Sequence, residues 1–97
     1  MIQKFTGSVA CPCCGYPTID ERGIYEICQV CFWEDDGTDD LDKPTGPNYN
    51  LTLREAKTNF ESFGASCIEV ARYVRLPTDR EKLLRQNINT QSEENNG

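Results

Sequence analysis

The stretch CPCCGYPTIDERGIYEICQVC, residues 11–31, holds two C-x-x-C pairs, Cys11 with Cys14 and Cys28 with Cys31, separated by thirteen residues. Two such pairs supply four thiolates, the donor set of the closed tetrahedral site that a structural zinc ion takes. The residues between them have the composition of a short hairpin, with 16–19 as one strand, a turn over 20–23 that contains Asp20 and Gly23, and 24–27 as the return. A hairpin returns its ends to one place, so the spacing predicts that the two pairs converge on one Zn2+ per chain.

A third sulfur, Cys13, sits inside the first pair. In a C-x-x-C turn the two cysteines face the metal while amides between them turn toward the sulfurs, and a glycine after the second cysteine eases the backbone. Pro12 and Gly15 fit the entry and exit of such a turn around Cys11 and Cys14, which leaves Cys13 outside the ligand set. A bridge between the adjacent Cys13 and Cys14 would consume a ligand and strain the ring. Cys13 then reads as a small, partly buried side chain, with a reactive thiol as the alternative. Cys67, beside Ile68 on a predicted helix, reads as a core residue.

Iron is the competing ion, because two cysteine knuckles also describe a rubredoxin-type electron carrier. Such sites carry a glycine after each knuckle, whereas Phe32 and Trp33 follow the second one here, and the larger residues favour zinc.

The chain has 97 residues and 37% hydrophobic content, enough for one domain with a modest core. No apolar stretch is long enough to span a membrane, and the first ten residues lack the pattern of a secretory signal. The expected compartment is the cytoplasm, where clustered cysteines serve as metal or redox groups more than as a disulfide framework. Residues 1–51 hold nine acids against three bases and so carry the whole formal charge of −6. That charge repels a phosphate backbone and disfavours nucleic acid as a partner. Arg72, Arg75, Arg80, Lys82 and Arg85 form the one basic patch, which Asp79 and Glu81 interrupt; it reads as a solvated helical face.

Residues 1–9 read as an N-terminal extension, 10–88 as a single zinc-binding domain, and 89–97 as a tail too polar to offset the entropy of ordering. Within the domain, a Gly- and Pro-punctuated acidic loop follows the cysteines to about residue 50. Leu53, Ala56, Phe60 and Phe63 then share a helical face, with Thr52 and Glu55 placed as a capping box and Gly64 as the stop. A second helix over 66–74 puts Ile68, Ala71 and Val74 on one side, and Pro77 ends it. Thr78 and Glu81 form a second capping box for a third helix that reaches about Ile88.

The run CFWEDDG, taken with CPCCG, GIYEIC, GPN and LREAKTNFESFG, resembles the bacterial cysteine-rich CPCC family over about residues 11–77. The resemblance implies a small zinc-ribbon-type protein; it speaks to fold and metal rather than to activity. The analogy with small bacterial proteins of this type adds the idea of an immunity protein beside a toxin.

The acids Glu34, Asp35, Asp36, Asp39, Asp40 and Asp42 do not follow the order of a calcium-binding loop. With no histidine in the chain, and no nucleophile paired with a base, catalysis is disfavoured. The loop is either a solvated surface or, with Trp33 at its edge, a partner-binding face formed by Trp33, Asp35, Asp36, Asp39 and Asp40 that attracts a basic protein surface. Trp33 could equally pack the knuckle against the helix.

The sequence therefore predicts a small α+β domain, a zinc-ribbon-type β-hairpin with two or three helices packed on it through Phe60, Phe63, Ile68 and Val74. It implies a non-enzymatic protein-interaction module, in its sharpest form an immunity or inhibitor protein. The alternatives are a nucleic-acid-binding ribbon and a thiol redox or electron-transfer protein.

Overall fold

The computed structural model describes residues 7–85, and it is the small α+β fold that the cysteine spacing predicts. Strand β1, Val9–Ala10, pairs antiparallel with β2, Pro17–Ile19, in the register Val9↔Ile19 and Ala10↔Pro17, with an irregularity between Val9 and Ala10. The expected partner of β2, residues 24–27, pairs elsewhere: Ile27 bridges Glu34, the Tyr25 amide donates to the Asp35 carbonyl and the Asp35 amide to the Glu26 carbonyl. Each cysteine pair thus sits in the turn of its own short hairpin. The knuckle turns, closed by the Gly15 amide on the Cys11 carbonyl and the Phe32 amide on the Cys28 carbonyl, bring the residues on either side of each pair together, so pairing forms across them although the 20–23 turn would enclose a shorter loop. Val9 belongs to the sheet and Gly7 is buried, so the folded unit begins before residue 10 and not after a nine-residue extension.

Helix α1, Leu53–Phe63, begins at Thr52, whose side chain accepts from the Glu55 amide while the Glu55 carboxylate accepts from the Thr52 amide. It ends at Gly64, which takes φ 84° and donates its amide to the Phe60 carbonyl. Leu53 and Ala56 are buried against the cysteines and Phe60 is half-buried on the same face, but Phe63, expected in the core, is exposed.

Residues 66–74 do not form an α-helix. Ile68–Tyr73 is a 3-10 segment, in which residues three apart eclipse one another. The buried column is therefore Cys67 and Val70, with Ala71 and Val74 half-buried beside it, while Ile68 is 66% exposed. The segment is pinned at both ends to the second knuckle, Ser66 amide to Cys31 carbonyl and Arg75 amide to Gln29 carbonyl. The greater rise of a 3-10 turn lets a short chain span that distance.

The last described helix, α2, Asp79–Leu84, has the expected capping box from Thr78 and Glu81. Its inward residue is Glu81, which meets Arg75 in a bidentate pair at 2.8 Å, whereas Leu83 and Leu84 are exposed. The predicted extension to Ile88 and the tail 89–97 lie outside the described residues. Arg75 first of all holds the Glu81 carboxyl below its usual value against the cost of burial, with Thr78 assisting. A depressed carboxyl stabilises the fold fully above its unfolded value, near about 4.3, and that contribution is lost as pH falls through the depressed one. Glu81→Gln should accordingly cost about 1–2 kcal/mol at neutral pH, the worth of a helix cap with a half-exposed ion pair. The deficit should shrink in acid; urea denaturation at two pH values checks it.

The main core gathers Trp33, Ile19, Val30, Leu53 and Ala56 around Cys11, Cys14, Cys28 and Cys31. It is centred on sulfur. No helix among the described residues is long and apolar enough to cross a membrane.

Candidate metal centre

The two knuckles are near copies of one another. In the first, the Gly15 amide donates to the Cys11 carbonyl at 2.8 Å, the Cys11 amide to the Tyr16 carbonyl at 2.9 Å and the Cys13 amide to the Cys11 sulfur at 3.4 Å. In the second, the Phe32 amide donates to the Cys28 carbonyl at 2.7 Å, the Cys28 amide to the Trp33 carbonyl at 3.0 Å and the Val30 amide to the Cys28 sulfur at 3.4 Å. The equivalence extends to the residue after each knuckle. Gly15 has φ 84° and Phe32 has φ 68°, so a phenylalanine occupies the left-handed conformation that a glycine holds in the first. Phe32 thus leaves the turn's geometry unchanged, and its bulk does not separate zinc from iron as the sequence reading supposed.

Because the knuckles face each other, Cys11, Cys14, Cys28 and Cys31 bring their sulfurs within 4.8 Å of one another, all four buried. The Cys11 and Cys31 sulfurs stand 3.6 Å apart and those of Cys14 and Cys28 3.7 Å. A disulfide would need about 2.05 Å. A tetrahedron with metal–sulfur bonds of about 2.3 Å has edges of about 3.8 Å, close to both of these distances, so these four cysteines could hold one metal ion. Cys13 is buried beside them and is not one of the four; Cys67, also buried, belongs to the separate cluster of Ala65 and Val70.

The sulfurs do not share one electrostatic state. Burial pushes the Cys11 and Cys31 thiols up. Cys28 is held well below its ordinary value despite its burial, by hydrogen bonds from Cys11, Cys14, Cys31 and Thr18, whose hydroxyl donates to the sulfur at 2.9 Å. Further out, cations approach the knuckles. Lys57 Nζ donates to the Pro12 and Cys13 carbonyls, Arg85 Nε to the Cys14 carbonyl at 2.7 Å, and Arg75 feels the charge of Cys28 and Cys14. Four thiolates around a dication carry −2, and these cations are placed to offset it.

The cysteine-rich CPCC family model matches residues 9–81, which is most of the chain and includes every ligand candidate and all three cations but Arg85. The chain belongs to the cysteine-rich CPCC family. No curated protein and no solved structure is significantly similar to it. Of the cysteines in the CPCC motif itself, the first and the third belong to the four-sulfur cluster and the middle one does not.

The acidic stretch of this CPCC chain is mostly committed to its own fold. Asp35, expected on a partner-binding face, is 0% exposed: its carboxylate accepts from Arg22 Nε at 2.7 Å and from the Gly23 and Gly37 amides at 2.9 and 3.1 Å. Arg22 also reaches Asp39 at 3.0 Å and the Thr38 carbonyl. Asp36 accepts from the Thr38 amide, Asp40 from the Asp42 amide, and Asp42 pairs with Arg54. Trp33, the expected aromatic anchor, is wholly buried in the cysteine core. Its indole N–H has no hydrogen-bond partner among the described residues, and nothing nearby accounts for that. Trp33 and Asp35 are therefore corrected from partner-binding to structural residues, and only Asp39 and Asp40 of the predicted face stand exposed, with Asp36 half-buried. The reason is elementary: a loop dense in carboxylates next to a metal site lowers its self-repulsion by spending them on amides and an arginine.

Sequence reasoning missed Arg22, Thr18, Asn48 and Lys57, and placed Arg85 on a solvated face rather than on the Cys14 carbonyl. Lys57 alone left a trace, since it lies between Leu53 and Phe60 on the inward side of α1 where a cation is out of place. Asn48, buried in the loop, ties it to the second hairpin by exchanging hydrogen bonds with the Glu34 amide and carbonyl. The basic patch is likewise partly consumed, Arg75 by Glu81 and Arg85 by Glu61 and the Cys14 carbonyl.

Proposed function

We propose that this CPCC protein is a non-enzymatic protein-binding module whose fold is ordered by one zinc ion. What supports it above all is the closed and buried character of the four-sulfur site. A catalytic zinc keeps a position open for water or substrate, whereas here every corner of the tetrahedron is a cysteine. Zinc is preferred to iron because a constant −2 centre suits the fixed cations Lys57, Arg75 and Arg85, with no need to accommodate a change of charge. The chain also has no histidine to act as an acid or base near neutral pH.

The partner is a protein with a basic surface. The formal charge of −6 lies in the half of the chain that contains the knuckles, and a field of that sign speeds encounter with a cationic surface while repelling nucleic acid. The sharpest form of this reading is a cytoplasmic immunity or inhibitor protein that occupies a basic toxin-like or nucleic-acid-binding partner. Affinity capture with the metal-loaded full chain should retain a basic protein at low salt and release it as the Debye length falls from about 30 Å at 0.01 M to about 8 Å at 0.15 M. Failure to retain any basic protein at low salt would end the reading, and salt-dependent retention of RNA or DNA instead would replace it with the nucleic-acid ribbon.

A further inference from the structure

The second hairpin presents an aromatic and apolar surface that the metal centre does not use. Ile27, Phe32, Pro47, Tyr49 and Val70 line a cleft with Glu34 among them, and Tyr25 and Glu26 join Ile27 in the adjoining depression. The cleft holds about 90 Å³, room for one side chain, and the depression beside it about 510 Å³. Tyr25 and Tyr49 are 57% and 59% exposed. The Phe32 ring meets that of Tyr73 at 5.5 Å and extends the aromatic surface.

The backbone under this surface is strained. Tyr25 and Tyr49 have φ of 64° and 61°; Phe32, at 68°, takes its conformation from the knuckle turn, and Asn50 is the only other described non-glycine residue in that region. Aromatic side chains there cost free energy that glycine would not, and such outliers gather at ligand clamps. The two exposed tyrosines recover nothing from the core.

Charge indicates what the surface takes. Glu26 and Glu34 lie on it, and neither has an ion-pair partner among the described residues. Aromatic faces attract cations as well, and the chain uses that attraction itself, with Arg72 5.9 Å from the Tyr73 ring centroid and Arg85 4.7 Å from that of Tyr16. Resting on the protein-binding reading above, the geometry points to this cleft as the docking site for an arginine-bearing peptide segment of the partner. The arginine stem packs on Ile27 and Tyr49, and its guanidinium meets Glu34 and a tyrosine face. Arginine suits this better than lysine because its planar head both stacks on a ring and forks onto a carboxylate.

The test uses the full zinc-loaded chain, labelled with 15N, and two short Gly/Ser peptides with Leu-Arg-Leu or Leu-Glu-Leu at the centre. The arginine peptide should shift the amides of Ile27, Glu34 and Tyr49, and the glutamate peptide should not. Glu34→Gln should weaken binding about tenfold. The double variant Tyr25→Gly with Tyr49→Gly should abolish it without lowering the melting temperature, because glycine relieves both backbones. Three results would overturn the assignment: shifts confined to 36–42, equal binding of both peptides, or no shift up to about 1 mM peptide. The first of these leaves a basic partner standing and moves its site. In the other two the salt-sensitive capture decides the protein-binding reading separately.

Discussion

Removing the metal with a strong chelator under reducing conditions is expected to unfold the protein. The main core consists largely of the four candidate ligands together with Trp33, Ile19 and Val30, and outside it the described chain has only the small cluster around Ala65, Cys67 and Val70. Without an ion, four buried sulfurs 3.6 Å and more apart lose the bonds that would hold two hairpins face to face. Structural zinc sites in small domains contribute about 10–16 kcal/mol, as much as or more than the about 5–15 kcal/mol by which an ordinary domain is stable. Trp33 reports the change directly, since it is wholly buried in that core and is the chain's one tryptophan. Its emission should move to longer wavelength as the ion leaves, together with loss of the near-ultraviolet circular dichroism. An unchanged spectrum after proven loss of the metal would show that the apolar core suffices.

Asp35→Ala should be the most damaging single change among the acidic-loop residues. The carboxylate is the shared acceptor for Arg22, Gly23 and Gly37, and these three contacts draw the 20–23 turn and the acidic loop against each other. The approach is close: a side chain added at Gly37, which has φ 90°, would meet the Gly23 Cα at 3.2 Å. Alanine leaves two amides and a guanidinium without their acceptor. For a fully buried pair that costs about 3–5 kcal/mol, and because Arg22 is one-third exposed the expected loss is about 2–4 kcal/mol. Asp35→Asn, which keeps the shape and one acceptor, should cost about half as much. Urea denaturation of the metal-loaded variants measures both. A loss below about 0.5 kcal/mol for alanine would mean that the loop is a solvated surface after all.

Features that depend on residues a few positions apart were legible in the sequence. Both C-x-x-C pairs, the exclusion of Cys13, the Thr52–Glu55 and Thr78–Glu81 capping boxes and the Gly64 stop all rest on local stereochemistry, and the structure has each of them. Pairing across 20–23 failed because composition marks a turn without saying which strands flank it, and the strand residues paired instead across the knuckle turns. The helix over 66–74 failed because its ends are fixed by Cys31 and Gln29, far away in sequence, which stretched it into a 3-10 segment and turned Ile68 outward. The burial of Asp35 escaped the sequence for a third reason. A carboxylate's charge is visible in sequence, but whether it faces water or an arginine thirteen residues earlier is a tertiary fact.

The account's central claim is that Cys11, Cys14, Cys28 and Cys31, and no other cysteine, hold one zinc ion. Native mass spectrometry of the full chain and its single Cys→Ser variants tests it most directly. The account predicts one ion of zinc's mass per chain in the parent, in Cys13→Ser and in Cys67→Ser, and none in the serine variants of the four ligands. Loss of the ion from Cys13→Ser with its retention in Cys14→Ser would contradict the ligand assignment, and an ion of iron's mass would contradict the metal.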